Sequence, residues 1–293
     1  MTDRPHRDTI ALEDARVLSQ DAYPGDQRIL RLAAPACARD ARPGQFVHLR
    51  CDPRLALRRP LSIMRADPDA GSIELLYKVV GEGTRLLATR RPGETLSLLG
   101  PIGQPFAPHA ERPRALLIGG GVGLPPMVFL ADALRRAPPW RPFAILGSEV
   151  PFPFDLQPAR HPIAGLPAEA SAAMPLLDDW GVPNRLASRQ GYPGCFSGYV
   201  TDLAEHWLAA LDEAARAEVE VFACGPHPML AAVADLARRW GLPCQVSLEE
   251  YMACGVGGCA GCVVEVRTPD GPAMKRVCVD GPVFAAEQVF FAA

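Results

Sequence analysis

Residues 253–278 read ACGVGGCAGCVVEVRTPDGPAMKRVC and contain four of the nine cysteines of the 293-residue chain. These cysteines, Cys254, Cys259, Cys262 and Cys278, are spaced C-x4-C-x2-C-x15-C. The odd total of cysteines and the absence of a recognisable secretion signal argue against a disulfide framework. We therefore interpret the segment as a set of metal ligands.

The cysteine spacing favours a [2Fe–2S] cluster over a structural zinc ion. Zinc ribbons normally use two C-x2-C pairs, whereas this segment contains only one. A C-x4-C-x2-C spacing with a distal fourth cysteine is that of plant-type [2Fe–2S] ferredoxins. The glycines between the cysteines let the backbone wrap closely around an inorganic core and direct N–H groups at its sulfurs. A hairpin, Val263–Arg267 and Met274–Val277 around a turn at Thr268–Gly271, is predicted before Cys278. Structural zinc and free thiols are the alternatives.

Upstream of the cysteines, residues 8–108 predict a small antiparallel β-barrel. Short apolar runs with a period of two alternate with turns such as Pro43-Gly44 and Pro92-Gly93. Evenly spaced short strands of this kind are typical of small barrels. The predicted strands include Arg28–Leu32, Gln45–Arg50, Ser72–Val80 and Glu94–Leu99.

From Pro113 onward, strands alternate with helices, which predicts a parallel sheet. The predicted strands are Ala115–Ile118, Phe143–Leu146 and Val219–Ala223, and the predicted helices are Met127–Arg136 and Pro228–Trp240. Residues 151–194 show no clear helical or strand periodicity of apolar residues and are interpreted as a long loop. The predicted fold class is multi-domain β + α/β: an antiparallel barrel at 8–108, a parallel-sheet domain at 111–245 and a small [2Fe–2S] domain at 246–290.

The composition argues against several classes of protein. The chain is 48% hydrophobic and 22% charged, as in ordinary folded proteins. A formal net charge of −3 without a long basic run argues against nucleic acid or an anionic membrane as the main partner. Glycines and prolines interrupt the longest uncharged apolar run, Ala115–Ala131, so no transmembrane segment is expected. Without a signal peptide, a cytoplasmic location is expected.

Two glycine-containing turns follow strands of the predicted parallel sheet. Gly119–Gly123 lies between a strand and a helix, where backbone N–H groups can hold a dinucleotide pyrophosphate. Cys224-Gly225-Pro226 follows another strand, at the edge where ligands of open α/β sheets bind. Both turns are therefore candidate nucleotide contacts. The alternatives are an ordinary glycine turn and, for Cys224, a small residue of the core.

Two strings in the barrel region carry further candidate contacts, RRPLS at residues 58–62 and YKVVGEGT at residues 77–84. An arginine can bind phosphate through two hydrogen bonds, and a serine can reach a flavin nitrogen. On an extended strand Arg59 and Ser62 would point to opposite faces, so a local bend is required. Tyr77 supplies a ring for stacking, and the glycine turn after it leads into a helix whose N–H groups can bind phosphate.

In their order along the chain, RRPLS, YKVVGEGT, GGGVGLPP, CGPHPM and the cysteine spacing resemble the ferredoxin-reductase superfamily. More narrowly, residues 9–284 resemble the electron-transfer subunits of NAD-dependent dihydroorotate dehydrogenases. The flavin and nucleotide strings are shared across the superfamily. The C-terminal cysteines and the CVDGPVF stretch at residues 278–284 are the features that point to the narrower family.

The resemblance implies an oxidoreductase subunit that relays electrons between NAD(H), FAD, a [2Fe–2S] cluster and a partner. That partner would be the FMN-containing dehydrogenase subunit of pyrimidine biosynthesis, in a hetero-oligomer. No catalytic residue is expected, because hydride transfer between cofactors needs no protein acid or base. The residues implied to bind FAD are Arg59, Pro60, Leu61, Ser62, Leu76, Tyr77, Lys78, Gly83 and Thr84. The residues implied to bind NAD are Gly119, Gly120, Gly121, Gly123, Cys224, Gly225 and Pro226, and the cluster ligands are Cys254, Cys259, Cys262 and Cys278.

Glu149, in the loop after Phe143–Leu146, is a further candidate. A carboxylate there can accept a hydrogen bond from an adenosine ribose hydroxyl and would repel a 2′-phosphate, which favours NAD over NADP. An exposed loop acid is the alternative. The alternative functions are an NAD(P)H:ferredoxin or other acceptor reductase subunit of the same superfamily, and a redox sensor or zinc-stabilised binding module without turnover.

Overall fold

The computed structural model describes residues 5–291 of the chain and divides them into two compact units. Unit 1 comprises residues 5–106 and 247–284, and unit 2 comprises residues 107–246 and 285–291. The cysteine-rich segment therefore belongs to the same unit as the N-terminal strands.

Unit 1 contains a closed six-stranded antiparallel barrel, which confirms the barrel prediction. Its strands are β1 (Ala11–Tyr23), β2 (Gln27–Ala33), β3 (Phe46–Leu49), β4 (Arg59–Asp67), β5 (Ser72–Lys78) and β6 (Thr95–Ile102). They follow the order β1-β2-β5-β4-β3-β6, and two short helices, α1 (Pro35–Asp40) and α2 (Glu82–Leu87), join them. A 3₁₀ turn at Pro5–Arg7 precedes the barrel.

The period-two pattern of the strands explains how the barrel fills its interior. In β2, Leu30 and Leu32 are fully buried while Arg31 between them is exposed. Successive side chains of a strand point to opposite faces, so β2 sends alternate apolar residues inward, whereas β3 is buried on both faces. The sequence did not mark β1 as a strand, because charged residues occupy much of its outer face.

The cysteine-rich segment adds a hairpin to unit 1. Its strands are β14 (Val263–Thr268) and β15 (Gly271–Arg276), followed by the short helix α8 (Val277–Asp280), which carries Cys278. The predicted hairpin is present, but its second strand begins at Gly271 instead of Met274. Thr268 pairs directly with Gly271, so only two residues remain for the turn.

Unit 2 is built on a parallel sheet, as predicted. Its strands are β7 (Arg114–Gly120), β8 (Arg141–Gly147), β11 (Asn184–Ala187), β12 (Val219–Cys224) and β13 (Cys244–Ser247), in the order β11-β8-β7-β12-β13. Its helices are α3 (Leu124–Arg135), α4 (Pro175–Asp179), α5 (Val200–Ala210), α6 (Glu213–Ala217), α7 (His227–Trp240) and α9 (Ala286–Val289). Strand β16 (Val283–Ala285) lies where the chain passes from unit 1 to unit 2.

The α/β predictions differ from the structure mainly at element ends and in the middle segment. Helix α3 begins at Leu124, three residues before the predicted start, because prolines are well accommodated in a first helical turn. Residues 151–194, interpreted as a loop, also contain α4, β11 and a small sheet of β9 (Gln157–Pro158) and β10 (Ala172–Ala173). These elements are too short to produce a readable period. No helix within residues 5–291 is long and apolar enough to cross a membrane.

Candidate cofactor sites

The four C-terminal cysteines form two pairs in unit 1. The backbone N–H of Cys259 donates to the sulfur of Cys254 over 3.4 Å. The sulfurs of Cys262 and Cys278 lie 3.4 Å apart. The second pair is buried, whereas Cys254 is half-buried and Cys259 is exposed. One pair is therefore sealed inside the unit and the other borders solvent.

The four cysteines lie as two pairs and not around one point. Within residues 5–291, no three His, Cys, Asp or Glu side chains surround one point that a single ion could occupy. A structural zinc ion requires four donors around one centre. In a [2Fe–2S] cluster the four cysteines are divided between the two irons. The arrangement in pairs matches that division.

Backbone groups and two arginines stabilise the cysteine loop. Gly255 and Gly257 have φ of +68° and +86°, and a Cβ on Gly257 would lie 2.5 Å from a methyl carbon of Val279. The guanidinium of Arg276 donates to the Gly257 carbonyl over 2.9 Å, and that of Arg7 donates to the Val256 carbonyl over 3.1 Å. Positive charge beside the loop suits a cluster that carries net negative charge.

The pKa values of the cysteines follow from the same surroundings. Burial alone would raise the pKa of Cys254, but N–H groups of Val256, Cys259 and Gly258 outweigh it and lower that pKa to about 6. Burial, reinforced by the neighbouring Cys262, raises the pKa of Cys278 to about 12. Thiolates are the form in which cysteines bind metal ions.

Arg59, the arginine expected to contact flavin phosphate, lies beside the first turn of α2. A Cβ on Gly83 would lie 2.8 Å from Arg59 Nε, so the guanidinium lies close against the backbone of this turn. The guanidinium also donates to the carbonyls of Leu57 and Arg58. The first N–H groups of a helix have no partner inside the helix. The structure thus brings a cation and free backbone donors together, which is the chemistry that binds phosphate.

The rest of the RRPLS string lies on β4 opposite β3. Pro60 pairs with His48, Leu61 with Val47 and Ser62 with Phe46. Pro60, Leu61 and Ser62 are all half-buried, so a ligand can reach this part of the strand.

The second string places its residues in different environments. The Tyr77 ring is buried, and its hydroxyl donates to Gln20 Oε1 over 2.7 Å. Leu76 and Lys78 lie on the other face of β5, as strand alternation requires. The Thr84 hydroxyl accepts from the Gly81 N–H and donates to the Gly81 carbonyl, so it stabilises the turn before α2. The buried ring of Tyr77 is not placed to stack on a flavin. Only the backbone of Tyr77 is left to contact one.

In unit 2 the two glycine-containing turns lie side by side. Strands β7 and β12 are parallel neighbours, with Gly119 opposite Cys224. A Cβ on Gly123 would overlap the Cys224 carbonyl, and a Cβ on Gly120 would overlap the side chain of Met229. Gly225 is equally confined by Met229, whereas Gly121 has φ of +56° and open space around it. The glycines therefore make a tight backbone floor at the carboxyl ends of the two strands.

Glu149 lies just beyond the end of β8 and has two partners. Its carboxylate accepts from the Gln190 side chain over 2.9 Å and lies 3.7 Å from Arg189 Nε. Arg189 in turn donates to the Tyr199 hydroxyl over 2.7 Å and stacks over that ring. All three side chains are about half exposed or more, so this edge is open to a ligand.

His48 is a residue that the sequence reasoning did not single out. It is fully buried on β3, and neither ring nitrogen has a hydrogen-bond partner of standard geometry. Burial, followed by the charge of Arg58, lowers its pKa to about 4, although backbone groups of Met252 and Cys254 oppose the shift. A single histidine in a strand is no recognisable motif, so the sequence does not reveal that His48 is buried and unpaired. Arg189 was missed because a single arginine in a loop is equally ordinary.

Comparison with known families and proteins matches both parts of unit 1. Residues 249–290 match the iron-sulfur cluster binding domain of dihydroorotate dehydrogenase B, and residues 12–106 match an oxidoreductase FAD-binding domain. These matches confirm the predictions of an FAD-binding barrel and an iron–sulfur-binding C-terminal segment.

Two similar proteins carry the same name. The electron transfer subunit of dihydroorotate dehydrogenase B (NAD(+)) from Bacillus caldolyticus is 35% identical, over 97% of this chain and 98% of that protein. The same subunit from Caldanaerobacter subterraneus subsp. tengcongensis is 34% identical over 85% of this chain and 87% of that protein.

Among solved structures, a chain of the NADH-dependent reduced ferredoxin-NADP oxidoreductase is similar with a TM-score of 0.75 and 27% identity. The likeness covers 94% of this chain and 89% of that one. The ferredoxin reductase of a carbazole 1,9a-dioxygenase has a TM-score of 0.61 and 25% identity, over 80% of this chain and 67% of that one.

Proposed function

This chain belongs to the family of electron transfer subunits of NAD-dependent dihydroorotate dehydrogenase B, and from that premise we propose that it relays electrons between NAD(H) and an FMN-containing dehydrogenase subunit. The observation that carries the proposal is the arrangement of two cysteine pairs in the same unit as an FAD-binding barrel. In this proposal unit 1 holds both FAD, which exchanges electron pairs, and a cluster, which exchanges single electrons.

The cofactor chemistry explains why both sites share a polypeptide. When bound, FAD exchanges electron pairs with a pyridine nucleotide and single electrons with an iron–sulfur cluster. The chain's own part is to bind and orient these groups. We expect Cys254, Cys259, Cys262 and Cys278 to hold a [2Fe–2S] cluster, while Arg276 and Arg7 stabilise the loop that carries the first pair.

We place the FAD site on β4, β5 and α2. Arg59 beside Gly83 supplies the phosphate contact, and the accessible stretch Pro60–Ser62 supplies the edge for the flavin ring. Leu76 and Lys78 complete the site from β5, and Tyr77 joins them through its backbone. The Thr84 hydroxyl holds the turn at Gly81 and so fixes the start of α2.

We place the pyridine nucleotide on unit 2, at the floor formed by Gly119–Gly123 and Cys224–Pro226. That floor is at the carboxyl ends of parallel strands, where dinucleotides bind in open α/β sheets. Glu149 favours NAD over NADP in two ways. It repels a 2′-phosphate, and it engages Arg189, the cation best placed to bind such a phosphate.

The three predicted domains, 8–108, 111–245 and 246–290, correspond in this proposal to three cofactor-binding segments. The partner we propose is the FMN-containing subunit that oxidises dihydroorotate, in a cytoplasmic hetero-oligomer, because the relatives over the full chain are named electron transfer subunits.

Purification of the full chain from its native host tests the proposal. We expect FAD, two irons and two acid-labile sulfides per chain, together with a co-purifying FMN protein. NADH should then reduce both chromophores. A chain that binds zinc and no flavin would overturn the proposal in favour of a binding module.

The likeness to the NADH-dependent ferredoxin-NADP oxidoreductase chain favours one second candidate, an acceptor reductase subunit of the same superfamily. The same preparation separates the two functions. Electron transfer to dihydroorotate dehydrogenase supports the first, and rapid reduction of ferredoxin by the chain without that partner supports the second.

A further inference from the structure

His48 occupies an unusual position in the barrel of unit 1. Its side chain has no exposed surface, yet neither ring nitrogen has a hydrogen-bond partner of standard geometry among the described residues. Buried polar groups are normally paired, so an unpaired one requires an explanation. An apolar residue of similar size would fill the same space without this cost.

The ring lies directly against the loop that carries the first cysteine pair. A Cβ on Gly255 would lie 2.8 Å from His48 Nδ1 and 3.1 Å from Cγ. Gly255 follows Cys254, and the backbone groups of Met252 and Cys254 also face the ring. The imidazole therefore contacts the backbone on both sides of a proposed cluster ligand.

The backbone of the same residue is part of the proposed flavin site. His48 pairs in the sheet with Pro60 of the RRPLS string. The guanidinium of Arg58 donates to the His48 carbonyl over 3.3 Å and to the Ser97 carbonyl over 2.7 Å, which fixes this part of the barrel. One residue thus joins the strand that would contact FAD to the loop that would bind iron.

We propose that His48 is a positioning residue for the cluster, whose ring holds the loop around Cys254 at a fixed place against β3. The inference rests on the proposed function and deepens it. Hydrogen-bond donors around the sulfurs stabilise the reduced form of an iron–sulfur cluster, and this loop contributes such a donor, the Cys259 N–H on the Cys254 sulfur. Loss of the ring should therefore lower the cluster's reduction potential and slow its exchange of electrons with the flavin.

The test compares three variants of the full chain. His48→Leu removes both ring nitrogens, and His48→Asn keeps an N–H near the position of Nδ1. Val47→Ala is the matched control, because Val47 is an equally buried neighbour on β3 whose side chain packs against Gly100 instead of the cysteine loop. The readouts are the reduction potential and EPR spectrum of the cluster, with the FAD potential as an internal reference.

We expect His48→Leu to shift the cluster potential to more negative values while the FAD potential stays constant. The rate of flavin-to-cluster electron transfer should fall about threefold or more, because groups that orient metal ligands have effects of roughly 10- to 100-fold when they are lost. His48→Asn should recover at least half of the potential shift, and Val47→Ala should leave the potential unchanged.

Several results would overturn the inference. A wild-type potential and spectrum in His48→Leu would show that the ring only fills space. If that variant binds no iron, His48→Asn decides, and a potential equal to that of wild type or nearly so is the supporting result. An equal loss of iron in His48→Asn and Val47→Ala would also reduce His48 to a packing role. Absence of iron from the wild-type chain would instead defeat the proposed function.

Discussion

The two units prepare their sites with different parts of the chain. In unit 1 the candidate groups are side chains: four sulfurs, the Arg59 guanidinium and the arginines beside the cysteine loop. In unit 2 the nucleotide floor is backbone, formed where Gly123 and Gly225 let two turns touch. Side-chain sites depend on the chemical type of each residue, whereas a backbone site depends on the absence of side chains. Substitutions should therefore fail for different reasons in the two units.

The largest effect is expected from Cys262→Ser in unit 1. Cys262 is buried against Cys278, and a serine oxygen is a poor substitute for a soft thiolate ligand of iron. We expect loss of nearly all iron and acid-labile sulfide, measured by chemical analysis, with FAD content retained. Reduction of the flavin by NADH should persist because unit 2 is unchanged.

Cys195→Ser is the matched control for that substitution. Cys195 is a buried free cysteine of unit 2, whereas the four candidate ligands lie in unit 1. It should retain iron and flavin at wild-type levels. Iron retained at wild-type levels in Cys262→Ser would show that the four cysteines are not the ligand set.

A smaller effect is expected from Gly123→Ala in unit 2. The added Cβ would overlap the Cys224 carbonyl, and relieving such an overlap costs about 1–3 kcal/mol. If that cost falls on the nucleotide floor, the Kd for NADH rises about tenfold for each ~1.4 kcal/mol. Titration of the oxidised chain with NAD analogues measures it, and iron and FAD contents should stay constant.

Gly121→Ala separates crowding from backbone strain. Gly121 has φ of +56° but no atom within 4 Å of a built Cβ. In the chain without nucleotide, the substitution should therefore cost only the strain of a left-handed conformation, about 1–2 kcal/mol in the free energy of unfolding. A greater loss of unfolding free energy in Gly121→Ala than in Gly123→Ala would contradict the close approach of the two turns.

Features that depend on the spacing of residues and motifs could be predicted from the sequence. The burial of individual side chains could not, because it depends on which other segments pack over each face of a strand. The cysteine spacing and the order of the strings led to the barrel, the parallel sheet and the cysteine segment. Tyr77 was expected to stack on a flavin, but Leu76 and Tyr77 are both buried, so both faces of β5 are covered there, which the strand's sequence does not reveal. His48 looks like a polar residue of an outer face. Its burial arises from the loop around Gly255, which is more than two hundred residues away in the chain.

The smallest effect is expected at Glu149. Here unit 2 also uses side chains, so the residue tests whether the contrast between side-chain sites in unit 1 and a backbone site in unit 2 is general. The Glu149–Arg189 pair is half exposed, and pairs of this kind contribute about 0–1 kcal/mol. Glu149→Gln removes the repulsion of a 2′-phosphate and releases Arg189, so we expect the preference for NADH over NADPH to fall by up to about fivefold. The measurement is the ratio of kcat/KM values for the two nucleotides.

Combining Glu149→Gln with Arg189→Ala should remove most of the gain in NADPH use, because the cation that would bind the phosphate is gone. If the double variant keeps the whole gain, charge repulsion by Glu149 alone determines the preference, and Arg189 has no part in it.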